Sequence, residues 1–359
     1  MENKIGKQKY DQLVVYYFSG TGNAKHAAEW IAEFAENQGI KSKVISIDNK
    51  PEIEIPDKNK KTLIGFCFPT HGFNASPKML TFIATFPKKL KADVFLLNTR
   101  AGMKLSKIFL PGLSGIAQYL PALILLVKSY RIVGMQPLDL PSNWISLHPG
   151  LKPKVVNSIF ERCKKITSLF AEKLIKGKHT YKAFYSFPID ILISPIAVLY
   201  YFIGRFALGK TFIANQDCNS CELCADSCPT NSIEMHKGKP FWKFTCESCM
   251  RCMNNCPKRA IQTPHLYTFI VWYVFGSLMG EIAYKQIYKK NFSDQFHLPD
   301  LLQSWLIDLF HIFSFFIGIF FAYKLLSFLM RFKSFNKFIN YTSLTYYRFW
   351  RRYKPPKGI

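Results

Sequence analysis

Acidic residues are scarce in this chain of 359 residues. It has 23 Asp and Glu against 48 Lys and Arg, a formal charge of +25, which favours anionic partners such as anionic lipid, nucleic acid or an acidic protein. Disorder is excluded, because 49% of the residues are hydrophobic and 16% are aromatic. The same composition is too apolar for an ordinary cytosolic enzyme, and the length predicts two domains, or two with an appendage.

The start of the sequence does not predict a secretory signal either. The first 12 residues are polar, and an apolar, strand-like run begins at Leu13, whereas a signal peptide places a basic start and an apolar stretch before any domain. We therefore expect a reducing compartment, in which clustered cysteines are metal ligands rather than disulfides. Eight of the ten cysteines lie between Cys218 and Cys256.

Strand-like and helix-like runs alternate over the first 140 residues. The strand-like runs are short and apolar, and the helix-like runs repeat apolar residues at helical spacing or begin with a first-turn proline. This alternation predicts a parallel sheet covered by helices on both faces, which is an α/β fold. Strands are predicted at 13–18, 43–47, 62–68, 93–97 and 130–135, and helices at 24–37, 77–86 and 105–128.

The loop between the first strand and the first helix is rich in glycine and small polar residues. Glycines permit a sharp turn, the side chains offer hydrogen bonds, and the backbone N–H groups of a helix start favour an anion. The loop lacks the Gly-Lys-Ser/Thr of a nucleotide triphosphate loop and is not G-x-G-x-x-G. It predicts a phosphate site of another kind, with a plain turn and helix cap as the alternative. The predicted site residues are Ser19, Gly20, Thr21, Gly22 and Asn23.

This loop resembles the phosphate loop of the flavodoxin-like family, which follows strand one as Ser/Thr-x-Thr-Gly-Asn. The resemblance implies a doubly wound parallel sheet of strand order 2-1-3-4-5 and an FMN bound where the strand order reverses. It also implies that the segments after strands three and four flank the isoalloxazine ring. The residues expected there are Pro69, Thr70, His71, Gly72, Phe73, Asn98, Thr99, Arg100, Ala101 and Gly102.

Several side chains in and near these segments keep more than one interpretation. Flavodoxins commonly stack an aromatic side chain on the flavin, and Phe73 or His71 could do so, although His71 could instead face solvent or cap a helix. Arg100 is expected either to stabilise an anionic reduced flavin or to lie on the surface. Cys67 and Cys163 fall within strand and helix patterns, so they are expected to be buried small residues rather than nucleophiles.

The clustered cysteines form the same motif twice. The first run is Cys218-x-x-Cys221-x-x-Cys224-x-x-x-Cys228-Pro, and the second begins at Cys246 with identical spacing. This is the run of bacterial two-cluster ferredoxins, in which the fourth cysteine ligates the other cluster. A zinc site instead uses four ligands, usually in two separated pairs. The resemblance implies one [4Fe-4S] cluster on Cys218, Cys221, Cys224 and Cys256, and a second on Cys246, Cys249, Cys252 and Cys228.

The two regions together resemble a family of bacterial and archaeal proteins that fuse a flavodoxin domain to a two-cluster ferredoxin. The likeness implies electron transfer without a defined substrate, covers about residues 10–145 and 209–264, and leaves the apolar runs unexplained. The predicted parts are an FMN domain (10–145), a basic helix and apolar linker (151–208), a small α+β ferredoxin domain (209–264), a transmembrane helical hairpin (266–284 and 306–330) and a basic cytoplasmic tail (331–359).

No apolar run reaches the roughly 20 residues of a spanning helix without a charge. The uncharged runs are 191–204, 266–280 and 309–323, and each lengthens if one charge near an end snorkels. Because both redox domains must share a compartment, segment 183–208 cannot cross once, and an in-plane helix, a shallow hairpin or a soluble packing element is expected. The later two runs predict the spanning hairpin, with monotopic attachment and a soluble helical core as alternatives.

The leading hypothesis is a membrane-attached electron-transfer protein at the cytoplasmic face of a bacterial or archaeal membrane. It would pass electrons between FMN and the two clusters, with an unidentified redox protein as donor or acceptor. An FMN and iron–sulfur oxidoreductase acting on a lipophilic, quinone-like substrate is the second hypothesis, and a redox sensor or assembly scaffold is the third. Anionic lipid is expected at the basic stretches 151–182 and 331–359. Nucleic acid is not expected, because no binding motif occurs.

Overall fold

The described residues form two compact units. A computed structural model describes residues 8–48, 53–57, 59–88, 90–283, 285 and 300–356. The first unit comprises Met1–Arg205, Glu247–Asn254 and Arg351–Ile359, and the second comprises Phe206–Cys246 and Asn255–Trp350. The cysteine-rich sequence therefore contributes to both units, because two of its cysteines, Cys249 and Cys252, belong to the first.

A parallel sheet forms the centre of the first unit. Its strands are β1 Gln12–Tyr17, β2 Lys41–Ser46, β3 Thr62–His71, β4 Ala92–Leu105 and β5 Arg131–Pro141. They are ordered β2-β1-β3-β4-β5, so the predicted 2-1-3-4-5 order is confirmed and the strand order reverses between β1 and β3. Val15 of β1 is in register with Val44 of β2 and Gly65 of β3. The central strands β3 and β4 read as continuous apolar runs because both of their faces are buried.

Helices cover both faces of this sheet. They are α1 Asn23–Asn37, α2 Pro77–Thr85, α3 Tyr119–Val127 and α4 Pro153–Ile175. Helix α1 packs against α4, and α2 packs against α3. The α1 face towards the sheet is made of small residues at helical spacing, including Ala24, Ala28 and Ala35. The α2 face buries Met79, Leu80 and Ile83 in the main hydrophobic core.

The strands that lead to the predicted site are longer than the sequence indicates. Residues 69–71 and 98–102 were expected in loops, but they lie within β3 and β4. Residues 98–102 remain extended because β4 pairs with β5 as far as Gly102 with Pro141. Residues 69–71 remain extended because Pro69 pairs with Thr99, and Thr70 and His71 pair with residues 74–75. The helix predicted at 105–128 is also wrong in its first half. There β4 turns at Ser106, whose φ is +53°, and pairs with the short strand Ile108–Leu110.

The linker after α4 consists of short helices rather than one long helix. After a two-residue strand at Thr180–Tyr181, the chain forms α5 Phe187–Leu192 and α6 Ser194–Leu199, and a π-helical turn follows at Tyr200–Gly204. Helices Lys182–Leu192 and Ser194–Gly209 bend by 80° at their break. Pro195 in the first turn of α6 accounts for the break, because it lacks the N–H that would continue the preceding helix.

The second unit combines two small antiparallel strand pairs with several helices. Its strands are β6 Ile213–Ala214, β7 Ile233–His236, β8 Lys239–Trp242 and β9 Ile261–Gln262, with β6 paired to β9 and β7 to β8. The remaining helices are α7 Arg205–Gly209, α8 Leu223–Asp226, α9 Arg251–Asn255, α10 His265–Tyr273, α11 Met279–Ala283, α12 Asp300–Leu329 and α13 Lys333–Tyr341; α7 and α9 begin in the first unit.

One helix in the described chain is long and apolar enough by itself to cross a membrane: Asp308–Leu329 within α12. It packs beside the helical segment of the preceding apolar run, where Gly318 lies directly against the Phe275 ring and the Tyr267 hydroxyl donates 2.9 Å to the Ala322 carbonyl. These contacts bring together the two arms of the predicted hairpin. Most of its connection (285–305) lies outside the described residues, because residues 286–299 are not described. Membrane insertion stays a prediction.

Candidate functional site

A cavity of about 400 Å³ opens at the carboxyl ends of the parallel strands of the first unit. This is the edge where doubly wound sheets bind ligands, and the volume is within the usual range for small-molecule sites. The cavity brings together residues that are far apart in sequence but follow adjacent strands. Its lining comprises Ser19, Gly20, Thr21, Asn23, Ala24, Pro69, Thr70, Gly72, Phe73, Thr99, Arg100, Ala101, Gly112, Leu113, Pro141, Ser142, Asn143, Trp144 and His148.

The predicted phosphate loop lies at one end of this cavity. Gly22 has φ +104°, a left-handed conformation that favours glycine, and its N–H donates 3.0 Å to Ser19 Oγ. Ser19 Oγ accepts this bond, so its hydroxyl proton can be donated to a phosphate oxygen. Thr21 Oγ1 accepts 2.7 Å from the Asn143 amide. Helix α1 begins at Asn23, so its first-turn N–H groups add donors and a favourable dipole.

Three of the predicted ring-flanking residues do not line the cavity, and two of them, Asn98 and His71, are buried beside it. Asn98 is fully buried, and its amide donates 2.7 Å to Thr70 Oγ1 and 3.1 Å to Ser114 Oγ. It therefore positions Thr70, which does line the cavity. Burial lowers the pKa of His71 to about 4, so its ring is neutral at pH 7. The His71 ring lies 6.4 Å from that of Trp144. Gly22 and Gly102 are likewise absent from the lining.

Arg100 lies in the cavity wall and is almost fully buried, which excludes the surface position considered for it. Its Nε donates 2.6 Å to Asp139 Oδ1, and its Nη1 donates 3.3 Å to Ser114 Oγ. The same Asp139 oxygen accepts 2.9 Å from the Gly112 N–H. Asp139 therefore compensates the guanidinium charge and fixes its direction. Because its charge is paired with Asp139, Arg100 is suited to orienting the polar edge of a ligand rather than to supplying an unpaired positive charge.

Sequence reasoning missed the last residue of β5 and the segment that follows it. Pro141, Ser142, Asn143, Trp144 and His148 all line the cavity. The available signal was that the fifth parallel strand must also deliver its following residues to this edge of the sheet. Trp144 adds a third aromatic candidate for stacking beside Phe73, which has φ +63° in the tight turn after β3. His71 does not line the cavity, so it is no longer a candidate for stacking on the ring.

FMN fits the chemistry of this cavity. A glycine-rich helix start with nearby hydroxyl groups suits a dianionic phosphate, and the apolar and aromatic wall at Phe73 and Trp144 suits a flat heterocycle. Polar main-chain and side-chain groups from β3 and β4 face the same space. The donor set therefore matches an elongated ligand with a phosphate at one end and an aromatic ring at the other.

The two cysteine motifs share one backbone pattern. In each, the residues just before and just after the second cysteine are left-handed, as is the third residue after the fourth cysteine. Six of the ten non-glycine residues with positive φ in the described chain occupy these positions. Alternating turns of this kind direct successive N–H groups into a concavity that binds anions, including iron–sulfur centres. The residues are Ser220, Glu222 and Asn231 in the first motif, and Ser248, Met250 and Arg259 in the second.

Sulfur contacts repeat as well. Ser232 N–H donates 3.3 Å to Cys228 Sγ, and Ala260 N–H donates 3.3 Å to Cys256 Sγ, at equivalent places in the two motifs. Such bonds stabilise thiolates and tune clusters. Within the second unit, burial and then the charges of Cys218 and Cys256 raise the pKa of Cys224 to about 11. These three predicted ligands are therefore close enough to interact, and bound iron would offset their repulsion.

Exposure differs among the predicted cluster ligands. Cys221 is exposed, Cys252 is buried, and the other six are half-buried. Among the residues that the structure describes, no three or more Cys, His, Asp or Glu side chains converge tightly enough to hold a single metal ion. A [4Fe-4S] cluster has a different requirement, because each of its four thiolates binds a different iron of the cube. Cys67 and Cys163 are buried, and burial raises the pKa of both thiols, Cys163 to about 12.

Solved flavodoxins resemble part of this chain at low similarity. Flavodoxin 1 from Bacillus cereus is 17% identical and covers 45% of this chain and 97% of its own, with a TM-score of 0.30. A flavodoxin from Archaea is 19% identical with the same coverage and a TM-score of 0.28. The flavodiiron protein from Giardia intestinalis is 14% identical and covers 47% of this chain and 39% of its own, with a TM-score of 0.26. Structures this distant identify neither a ligand nor an activity. No protein-family model and no curated protein matches the chain.

Proposed function

We propose that this chain is a membrane-attached electron-transfer protein that binds FMN and two [4Fe-4S] clusters. The observation that carries the proposal is the cavity at the reversal of the strand order. It collects the phosphate loop, the ends of β3 and β4 and the segment after β5 around one space. The duplicated cysteine motif, with its repeated backbone and N–H to sulfur bonds, supports the clusters.

Each part of the FMN would be held by residues with a defined task. Ser19, Thr21 and the start of α1 would bind the phosphate, and Phe73 and Trp144 would cover the ring. Arg100, fixed by Asp139, would orient its polar edge. When bound, FMN supplies the chemistry for exchanging two electrons with one partner and single electrons with a cluster.

The cluster ligands would be those that the spacing of the motifs implies. One set is Cys218, Cys221, Cys224 and Cys256, and the other is Cys246, Cys249, Cys252 and Cys228. Membrane attachment is supported by α12, with its apolar segment Asp308–Leu329. The net charge of +25 supports contact with anionic lipid.

The first test is cofactor content after anaerobic purification in mild detergent. We expect about one FMN and eight iron per chain, with acid-labile sulfide to match, and both chromophores should be reducible in a spectral redox titration. Eight iron without flavin would overturn the FMN assignment and favour a scaffold. Flavin without iron would overturn the cluster assignment.

A second test addresses the ligands. Cys221→Ser should lower iron content by about half, because one of the two clusters would lose a thiolate. Cys163→Ala is the control, since Cys163 is a buried cysteine outside the motifs whose thiol donates 3.3 Å to the Asp139 carbonyl. Full iron content in Cys221→Ser would contradict the assignment of this cysteine.

A cavity in the second unit favours a second candidate function, the reduction of a lipophilic quinone. It has a volume of about 210 Å³ and is lined mainly by apolar residues of α7, α10 and α12, including Trp272 and Ile319. Lys210 lies in its wall, buried among three aromatic rings with Nζ 4.2–4.8 Å from their centroids. The preceding residue, Gly209, lies close against Cys246. A Cβ built on Gly209 would be only 2.8 Å from the Cys246 Cβ.

This arrangement suits a quinone, since the ring is apolar and its carbonyl oxygens accept hydrogen bonds from an amine. If quinone is the acceptor, a short-chain quinone should reoxidise the reduced protein with saturation kinetics. Lys210→Met should raise the half-saturating concentration about tenfold. Lys324→Met is the control, because Lys324 also lies over an aromatic ring but outside this cavity. Reoxidation without saturation would rule out this candidate.

A further inference from the structure

Residues 248–254, which carry two of the predicted cluster ligands, pack directly on the lining of the FMN cavity. All of the contacts lie within the first unit. The Trp144 indole donates 3.1 Å to the Ser248 carbonyl, and the Asn254 amide donates 3.4 Å to the Asn143 carbonyl. Both Asn143 and Trp144 line the cavity.

The closest approach is at the phosphate loop itself. A Cβ built on Gly20 would lie 2.1 Å from the Cys249 carbonyl oxygen, so only glycine permits this contact. The loop and the backbone of a predicted cluster ligand therefore touch without any intervening side chain.

Arg251 fastens the same two segments. Its Nη2 donates 2.6 Å to the Ser19 carbonyl and 2.6 Å to Asp48 Oδ2, and its Nε donates 3.1 Å to the Gly20 carbonyl. These bonds use the planar fork of donors that distinguishes arginine from lysine. They hold the carbonyl groups of Ser19 and Gly20 outward, which leaves the N–H side of the loop for the phosphate. Arg251 also lies between Cys249 and Cys252 in the sequence.

We infer that Arg251 is a positioning residue for the FMN phosphate loop, and that occupancy of the cluster served by Cys249 and Cys252 strengthens FMN binding. The inference rests on the proposed function, because it needs both groups to be present. It goes beyond that function by making the two sites depend on each other. Binding that orders a shared segment at one site lowers the cost of ordering it at the other.

The test is the dissociation constant of FMN, measured by flavin fluorescence quenching on the full chain in detergent after removal of the flavin. Arg251→Gln should weaken FMN binding at least tenfold, and Arg251→Lys should weaken it by an intermediate factor. Arg131→Gln is the matched control: this arginine also donates to an aspartate, but it begins β5 at the opposite end of the sheet from the cavity. Circular dichroism establishes that each variant is folded.

Cys252→Ser tests the second part of the inference, the dependence of FMN binding on the cluster. It should lose about half of the iron, and its FMN dissociation constant should rise with the iron loss. Unchanged FMN affinity in Arg251→Gln would overturn the positioning role, and unchanged affinity in an iron-depleted Cys252→Ser would overturn the dependence between the sites. Absence of FMN binding in the unmodified chain would instead reject the proposed function, so the two failures are distinguishable.

Discussion

Thr21 is the residue whose substitution tests the phosphate loop most directly. Thr21→Val keeps the shape of a side chain that is 8% exposed, removes the hydroxyl, and leaves the Asn143 amide without its acceptor. A hydrogen bond to a charged group contributes about 1.5–3 kcal/mol. We therefore expect FMN to bind at least ~10-fold more weakly, as measured by fluorescence titration. Thr85→Val is the control, since the Thr85 hydroxyl donates to carbonyls of its own helix. Equal affinities in both variants would contradict the phosphate assignment.

Asp93 gives the first unit a predictable dependence on acid. It accepts hydrogen bonds from Lys9 (2.9 Å), Tyr10 (2.6 Å) and Arg131 (2.6 and 2.7 Å). Burial opposes its ionisation, but these donors outweigh burial and lower its pKa to about 2 from the usual 3.8. Because the folded-state pKa is the lower one, the stabilisation is complete above about pH 4 and is lost as the pH falls towards about 2.

Asp93→Asn should therefore reduce the free energy of unfolding at pH 7 by about 2 kcal/mol. The difference between the variant and the unmodified chain should narrow below about pH 4 and disappear near pH 2. Urea unfolding at a series of pH values measures it, with the exposed Asp57→Asn as control. A difference that persists undiminished at pH 2 would show that packing, rather than ionisation, accounts for the loss.

At the scale of elements, the strands of the sheet were predictable from sequence, but where each strand ends near the cavity was not. Continuous apolar runs at 62–68 and 93–97 define strands because each must be buried on both faces, and the loop 18–23 follows from its position between strand and helix. The extension of β4 through Leu105 depends on pairing with β5 and with Ile108–Leu110. Pairing partners decide whether polar residues such as Asn98 stay extended, and local sequence does not identify them.

Trp144 was missed because the end of its strand was misplaced, whereas the placement of residues 247–254 was beyond sequence reasoning. Trp144 follows a strand whose end was predicted at residue 135, six residues too early. The cysteine motif predicts its own ligands from spacing, but the docking of Arg251 on Ser19 joins residues more than 200 positions apart. The Gly20 contact with Cys249 leaves no local pattern either, since the glycine is already expected from the turn.

Helix α12 offers a test of membrane insertion, because its exposed face would contact lipid if the helix spans a membrane and water if it does not. Phe313, Ile317, Phe321 and Leu325 follow one another at helical spacing, and each is more than half exposed. Ile317→Asp with Phe321→Asp should abolish membrane insertion, since one Asp at the centre of a spanning helix costs about 2.5–3.5 kcal/mol on insertion scales. Leu123→Asp, at an exposed apolar position on α3, is the control. Unchanged membrane recovery of the double variant would show that this face does not contact lipid.

At the scale of the whole molecule, the net positive charge and the apolar surface both favour attachment to a membrane. The excess of 25 positive charges would favour contact with an anionic leaflet, and the segment Asp308–Leu329 is long and apolar enough to cross a membrane. Attraction by charge alone is screened within about 8 Å at physiological ionic strength and weakens further at high salt. Insertion of an apolar helix does not depend on salt, so the two modes of attachment respond differently to a wash.

Membrane extraction of the full chain therefore distinguishes the modes. We expect the protein to stay in the membrane pellet through both 1 M salt and alkaline carbonate, because a spanning hairpin is held by apolar burial that neither treatment removes. Release by salt would indicate attachment by charge, and resistance to salt with release by carbonate would indicate monotopic attachment. Recovery in the soluble fraction from the start would place α12 in a soluble helical core. The exposed stripe from Phe313 to Leu325 would then need a protein partner.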